Sequence, residues 1–196
     1  MVYVEAAGGF DSVALRRSDG LAAAATQVGN YSALPPVPDP GYSFTAVSGG
    51  RQRSFGILGT ECSYVTFANG CAGTRRASRL IPRDTPVLGR TIEFNLLDLP
   101  TGAAIMLFGW SRTWAGSAPL PLRLDFLGMV GCSAHVSPDH SLLITGTANE
   151  ATCRIPVPSD PAVLGTRFYN QAVVLDQGAT PIGAVVSDAA AAIVGG

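Results

Sequence analysis

The sequence predicts an all-β protein: an antiparallel β-sandwich from about residue 60 onward, preceded by a partial propeller-type repeat. Three observations carry this. Short apolar runs recur every 8–12 residues from Thr60 to the end, separated by turn signals. The 23 Gly and 14 Pro are scattered between those runs and not massed, as many tight turns require and disorder does not. Helical periodicity is nearly absent.

The individual runs follow. "TIEFNLLDL" alternates, with Ile92, Phe94 and Leu96 on one face and Thr91, Glu93 and Asn95 on the other, so it reads as a half-buried strand. "AAIMLFGW" and "FYNQAVVL" (Phe168 to Leu175) are apolar on both faces, which places them centrally with cover on each side. "PLRLDFL", "CSAHV", "SLLITGT" and "ATCRIPV" supply shorter strands between turns such as "SPDH" and "TANE". "LAAAAT" (Leu21 to Thr26) and "SDAAAAIVGG" (Ser187 to Gly196) hold helix-favouring Ala, but both are short.

Before residue 60 the organisation changes, giving two expected domains, residues 1–58 and 59–196. "ALPPVPDPG" (Ala33 to Gly41) has four prolines in nine residues and must be an extended connector. It joins two echoing segments. Tyr3, Ala7, Gly8 and Gly9 align with Phe44, Ser48, Gly49 and Gly50 at an offset of 41, and Ser12–Leu15 with Ser54–Ile57 after one inserted residue. A period near 40 built of strands and turns is that of propeller blades.

Composition limits the function classes. A net charge of −1 lacks the basic field that nucleic-acid binding needs. All 13 basic residues are Arg. No apolar run is long enough for a membrane span. The N-terminus lacks the pattern of an export signal, so the chain is expected to be a piece of something longer or to have lost that signal. The four cysteines, Cys62, Cys71, Cys132 and Cys153, contain no C-x-x-C pair, which disfavours zinc. Disulfides in an exported protein are the better reading, with four buried thiols the alternative and three connectivities open.

Two resemblances add to this. "YVEAAGGFDSVALRRSDG", the Pro-rich linker and "YSFTAVSGG" resemble the regulator-of-chromosome-condensation repeat, with Asp11 where a His is usual and no Trp-Gly after the Asp-Gly turn. The resemblance implies a propeller blade, and one and a half blades cannot close a ring. From about Tyr64, "FANGCAGT", "LPTGAAIMLFGWSRT", "LGMVGCSAHVSPD" and "IPVPSDPAVLGTRFYNQAVVLD" resemble an uncharacterised C-terminal β domain of exported planctomycete-type bacterial proteins. That resemblance implies a Cys71–Cys132 bridge, with Cys62–Cys153 as the second pair. It brings no activity.

No residue set identifies a reaction. His135, Asp139 and His140 have the density of a metal or general-base site, but "SPDH" is also a plain turn. Asp98, Asp125, Asp139, Asp160 and Asp176 mostly fall at strand ends beside Pro or Gly, as turn formers do. "SGGRQRS" is a Gly-rich anion nest in outline but lacks the G-K-[ST] ending of a phosphate loop. "GTRRASRL" reads as a charged, solvated edge. Trp110 is in phase with Met106 and Phe108 and is expected in the core. Trp114 lies in a Gly/Ser/Pro loop, where with Arg112 it could stack on a sugar ring or anchor a protein.

The expectation is therefore a non-catalytic accessory or interaction domain, extracellular or at the cell surface, with no cofactor and no metal. Its partner would be a protein or a polysaccharide, and its candidate ligand-binding residues are Trp114, Arg112 and Trp110. The alternatives are a carbohydrate-binding module using Trp114, self-assembly through open strand edges, and a hydrolase with unpaired carboxylates.

Overall fold

The structure, a computed structural model, describes residues 3–8, 12–17, 22–26, 43–49, 54–59 and 62–196 except Ala148. The chain divides into two compact units, Met1–Glu61 with Gly195–Gly196, and Cys62–Val194. The connector at 33–41 and residues 50–53 of the "SGGRQRS" stretch lie outside the described residues.

The first unit holds β1 (Tyr3–Gly8), β2 (Ser12–Arg17) and β3 (Ala22–Thr26) as a three-stranded sheet, and β4 (Ser43–Gly49) with β5 (Ser54–Gly59) as a hairpin. β4 packs against β1 and β2. The two hairpins repeat one another closely. Tyr3 opposite Arg17 becomes Phe44 opposite Leu58, and Gly8 opposite Val13 becomes Gly49 opposite Ser54. Each hairpin has one register shift at the matching place, Tyr3/Glu5 and Phe44/Ala46. The offset is 41 on both strands, so the inserted residue in the sequence alignment is a misalignment of the second strand. Ala22–Thr26 of "LAAAAT" form the strand β3 and not helix: these alanines pair along β2.

The second unit is a two-sheet antiparallel sandwich. Its strands are β6 (Ser63–Phe67), β7 (Arg79–Pro82), β8 (Thr91–Leu97), β9 (Ala103–Gly109), β14 (His140–Thr145), β15 (Glu150–Pro156), β16 (Arg167–Leu175) and β17 (Ala184–Ile193). Four two-residue strands, β10 (Trp114–Ala115), β11 (Ala118–Pro119), β12 (Leu122–Arg123) and β13 (Ser133–Ala134), form two ribbons in the long excursion between β9 and β14. One sheet runs β14-β9-β16-β17-β6 and the other β15-β8-β7. β14 packs beside β15 at one side of the sandwich, and β17 and β6 lie beside β7 at the other.

The core follows from the period-2 patterns. Ile92, Phe94 and Leu96 have no exposed surface, and face Met106, Ala172, Val174, Ala190 and Ala192 across the sandwich. Tyr64 stacks on Phe94 with ring centroids 5.2 Å apart. β9 and β16, apolar on both faces, are interior strands, as their pattern requires. The Ala-rich C-terminal run is the strand β17, between β16 and β6. Its small side chains let the neighbouring layers approach, and Ala189, Ala190 and Ala192 are all buried.

A bulge interrupts the β16–β17 ladder. Gln171 faces Ala189 and Val173 faces Val186, so Ser187 and Asp188 oppose the single residue Ala172. The Ser187 hydroxyl accepts from the Ala172 N–H at 2.9 Å, and the Gln171 amide donates to the Ser187 carbonyl at 2.9 Å. Asp188 is turned toward β7, where its carboxylate accepts the Leu80 N–H at 2.8 Å. Burial raises the Asp188 carboxyl from its ordinary 3.8 to about 6, against smaller opposing effects from that hydrogen bond and from Arg79.

Candidate functional site

The sandwich is closed unevenly at its two ends. At the end where β9 and β15 stop, an apolar pocket of about 440 Å³ opens between the sheets. Its walls include Phe108, Leu142, Ile155, Val157, Val163 and Phe168. That volume lies within the ~300–1,000 Å³ range of ligand pockets. One wall continues the β15–β8 pair beyond its last ladder position, Pro156 opposite Thr91: the Val157 N–H donates to the Arg90 carbonyl at 2.8 Å and the Gly89 N–H to the Pro158 carbonyl at 3.1 Å.

The mouth is built on Gly109, Trp110 and Asp139. A Cβ on Gly109 would overlap the Ser137 carbonyl oxygen, so only glycine allows this approach. Ser137 donates its N–H to the Ser111 carbonyl at 2.9 Å and receives the Ser111 N–H on its hydroxyl at 3.1 Å. The Asp139 carboxylate accepts the Trp110 N–H at 2.8 Å and the Ser137 hydroxyl at 2.7 Å. The first of these bonds is the main influence holding the Asp139 carboxyl below its usual range. Trp110 is thereby pinned at the rim with 60% of its surface exposed. The alternation that predicted it in the core stops at Gly109, where β9 ends.

Charge is kept off the pocket walls. Arg154 borders the cavity, but it follows Cys153 on β15 and so points to the opposite face of that sheet. There its guanidinium donates to Glu93 at 2.8 Å. His140 and Leu142 share the β14 face that continues inward to the buried Ile144.

The three expected ligand-binding residues have different surroundings. Trp110 is on the pocket rim. Arg112 lies over the ring of Phe67 at 5.8 Å, on the outer face of the five-stranded sheet, where Phe67 also meets His135 and Tyr169 edge-on. Trp114 sits on the β10–β11 ribbon with 56% of its surface exposed. Apart from Trp110, the pocket lining, drawn from residues 108–110, 140–142, 154–168 and 194, was not foreseen. Four distant segments meet there, and no local sequence signal marks their meeting.

The remaining candidates have structural roles. His135 donates its backbone N–H to Gln171, and burial lowers its imidazole pKa. Among the described residues no group of three His, Cys, Asp or Glu could hold a metal ion. Asp98 accepts from Arg76 at 2.7 Å and Arg79 at 3.4 Å, so these two arginines of the basic stretch are paired and not simply solvated. Arg79 begins β7, the edge strand of its sheet. Asp125 accepts the Gly131 N–H, Asp160 caps a short turn through the Ala162 N–H, and Asp176 accepts the N–H and hydroxyl of Thr74. Each of the five aspartates ties down a turn or loop.

Cys71 and Cys132 form a disulfide, Cα atoms 5.1 Å apart, spanning 61 residues of sequence. The second expected pair is not formed. Cys153 lies on the inner face of β15 opposite Phe94, where burial pushes its thiol up to about 11. Cys62 precedes β6 in the other sheet, and its thiol donates to the Thr85 hydroxyl at 3.3 Å.

Fold and site together define an all-β sandwich domain with an apolar pocket at one end. No protein-family model, no curated protein and no solved structure matches the chain. Among the described residues no helix is long and apolar enough to cross a membrane.

Proposed function

We propose that the chain is a non-catalytic, exported interaction module, and that the end pocket receives an apolar group of its partner. The observation that carries this is the pocket itself. It is a preformed cavity of ligand size, walled by Phe108, Phe168, Leu142 and Val163, with the nearby charges of Arg154 and Asp139 already engaged elsewhere. The disulfide supports an oxidising compartment.

A neutral apolar dye such as Nile red tests the reading. It should bind with one-to-one saturation and quench Trp110, and Leu142→Arg, at a half-exposed position, should abolish both. Non-saturable binding, or binding indifferent to that substitution, rejects the pocket as the site. A second reading rests on Trp114, exposed on a short ribbon where a sugar ring could stack. Retention on insoluble polysaccharide that Trp114→Ala eliminates would support it, and no retention would dismiss it.

A further inference from the structure

The pole opposite the pocket carries a convex apolar feature. β16 begins beside the pocket at Phe168 and ends at Leu175. The loop that follows, at the far pole, contains Pro181 and the exposed Ile182. Packed on Pro181 is Gly128, at the centre of the loop between β12 and β13. Three large apolar side chains stand out from that loop: Phe126 is 71% exposed, Val130 79% and Leu127 43%. Beneath them Leu124, Met129 and Cys132 are buried and anchor the stem.

The loop is held rigid. Leu127 and Met129 donate their N–H groups to the Leu124 carbonyl, Gly128 to Asp125, and Cys132 to Met129. Gly128 adopts φ +81°, a left-handed conformation suited to glycine. The Asp125 carboxylate accepts the Gly131 N–H at 2.9 Å and is clamped by Arg123. The disulfide ties Cys132 to the Cys71 segment, which bonds to Val186 of β17. A knob ordered in advance loses little conformational freedom when it docks.

We infer that the 126–130 knob of one molecule inserts into the end pocket of a second copy, so that the chain associates head to tail. This rests on the pocket being the binding site. Knob and pocket are both apolar, and the arginine beside each is paired with a carboxylate. One is convex and apolar with its Arg123–Asp125 pair internally neutralised, and the other is concave and apolar with Arg154 neutralised by Glu93. A nine-residue strand at ~3.3 Å per residue puts the two features roughly 30 Å apart, so the knob cannot fill its own pocket. A contact between two different surfaces does not close on itself and extends into open chains. Three protruding side chains, the largest a Phe that buries about 150–250 Å², make a contact at the low end of specific interfaces. Association is accordingly weak and concentration-dependent.

Sedimentation velocity over a concentration series tests this with Phe126→Ser, which blunts the knob, and Leu142→Arg, which blocks the pocket. Both positions are exposed enough for the fold to survive. Wild type should rise past twice the monomer mass as concentration increases, and each variant alone should stay monomeric. An equimolar mixture of the two should form dimers and stop there, because one intact knob meets one intact pocket. Association that survives Leu142→Arg would indicate knob-to-knob contact and overturn the inference, as would a mixture that remains monomeric or a monomeric wild type. Nile red binding to the Phe126→Ser protein separates the two readings. Bound dye with no dimer in the mixture refutes head-to-tail docking alone, whereas absence of dye binding refutes the pocket.

Discussion

Replacing Asp188 with Asn should stabilise the protein at pH 7 and remove a specific part of its pH dependence. The carboxyl sits at the β17 bulge facing β7, with the Leu80 N–H on one oxygen and Arg79 nearby. Its folded value, about 6, is above its ordinary 3.8. Below about pH 3.8 the proton is bound in folded and unfolded chains alike, and the group has no effect on stability. Between about 4 and 6 the folded chain holds the proton more tightly, so stability falls as pH rises. Above 6 the full cost of a partly desolvated carboxylate is in place. Two units correspond to about 3 kcal/mol, and screening by solvent at this partly accessible site reduces that to roughly 1–2 kcal/mol. Asparagine keeps an oxygen for Leu80 and removes the charge. Urea denaturation of both proteins from pH 3.5 to 7.5 isolates the effect, because His135, whose folded pKa is lowered, contributes the opposite slope equally to both. The variant should gain roughly 1–2 kcal/mol at pH 7, fading to nothing near pH 3.5. A variant less stable than wild type at pH 7, or one with an unchanged slope from 4 to 6, would show the desolvation argument to be wrong.

Three other outcomes follow from the packing. Cys132→Ser opens a 61-residue loop and should cost about 4 kcal/mol in chemical denaturation, with reduced wild type matching the variant. A thiol reagent should label Cys62 in the native protein and reach Cys153 only after unfolding, since Cys153 is buried with its thiol pushed up to about 11. Phe94→Ala should lower stability by about 3–5 kcal/mol, because Phe94 is fully enclosed and stacks on Tyr64.

Strands announced by alternation or by continuous apolar runs were legible in the sequence, because each requires a face or two to be buried. Ile92, Phe94 and Leu96 are one such set. The Ala-rich segments were less legible, since alanine favours helix locally and only the neighbouring strands make β3 and β17 extended. Asp125 and Asp160 were legible as turn formers because they bond six and two residues away, whereas Asp98, Asp139 and Asp176 also hold segments distant in sequence, at Arg76, Trp110 and Thr74. The pocket was not legible, since its walls depend on which segments stop pairing at the same end. Trp110 shows the limit in one residue. Its alternation with Met106 and Phe108 is real, but the strand ends one residue too early for it to be buried.

The alanines of β17 have one further consequence. The run Ala189–Ala192 presents the same side chain to both faces, so by itself it carries no information about its alignment on β16. The alignment must be dictated from outside that run, by the Ser187 hydroxyl on the Ala172 N–H and by the Gln171 amide on the Ser187 carbonyl. These polar groups therefore act on the uniqueness of the native state. A Ser187→Ala chain leaves the buried Ala172 N–H without its acceptor and should lose about 1–3 kcal/mol while populating two alignments, visible as doubled amide resonances along the strand.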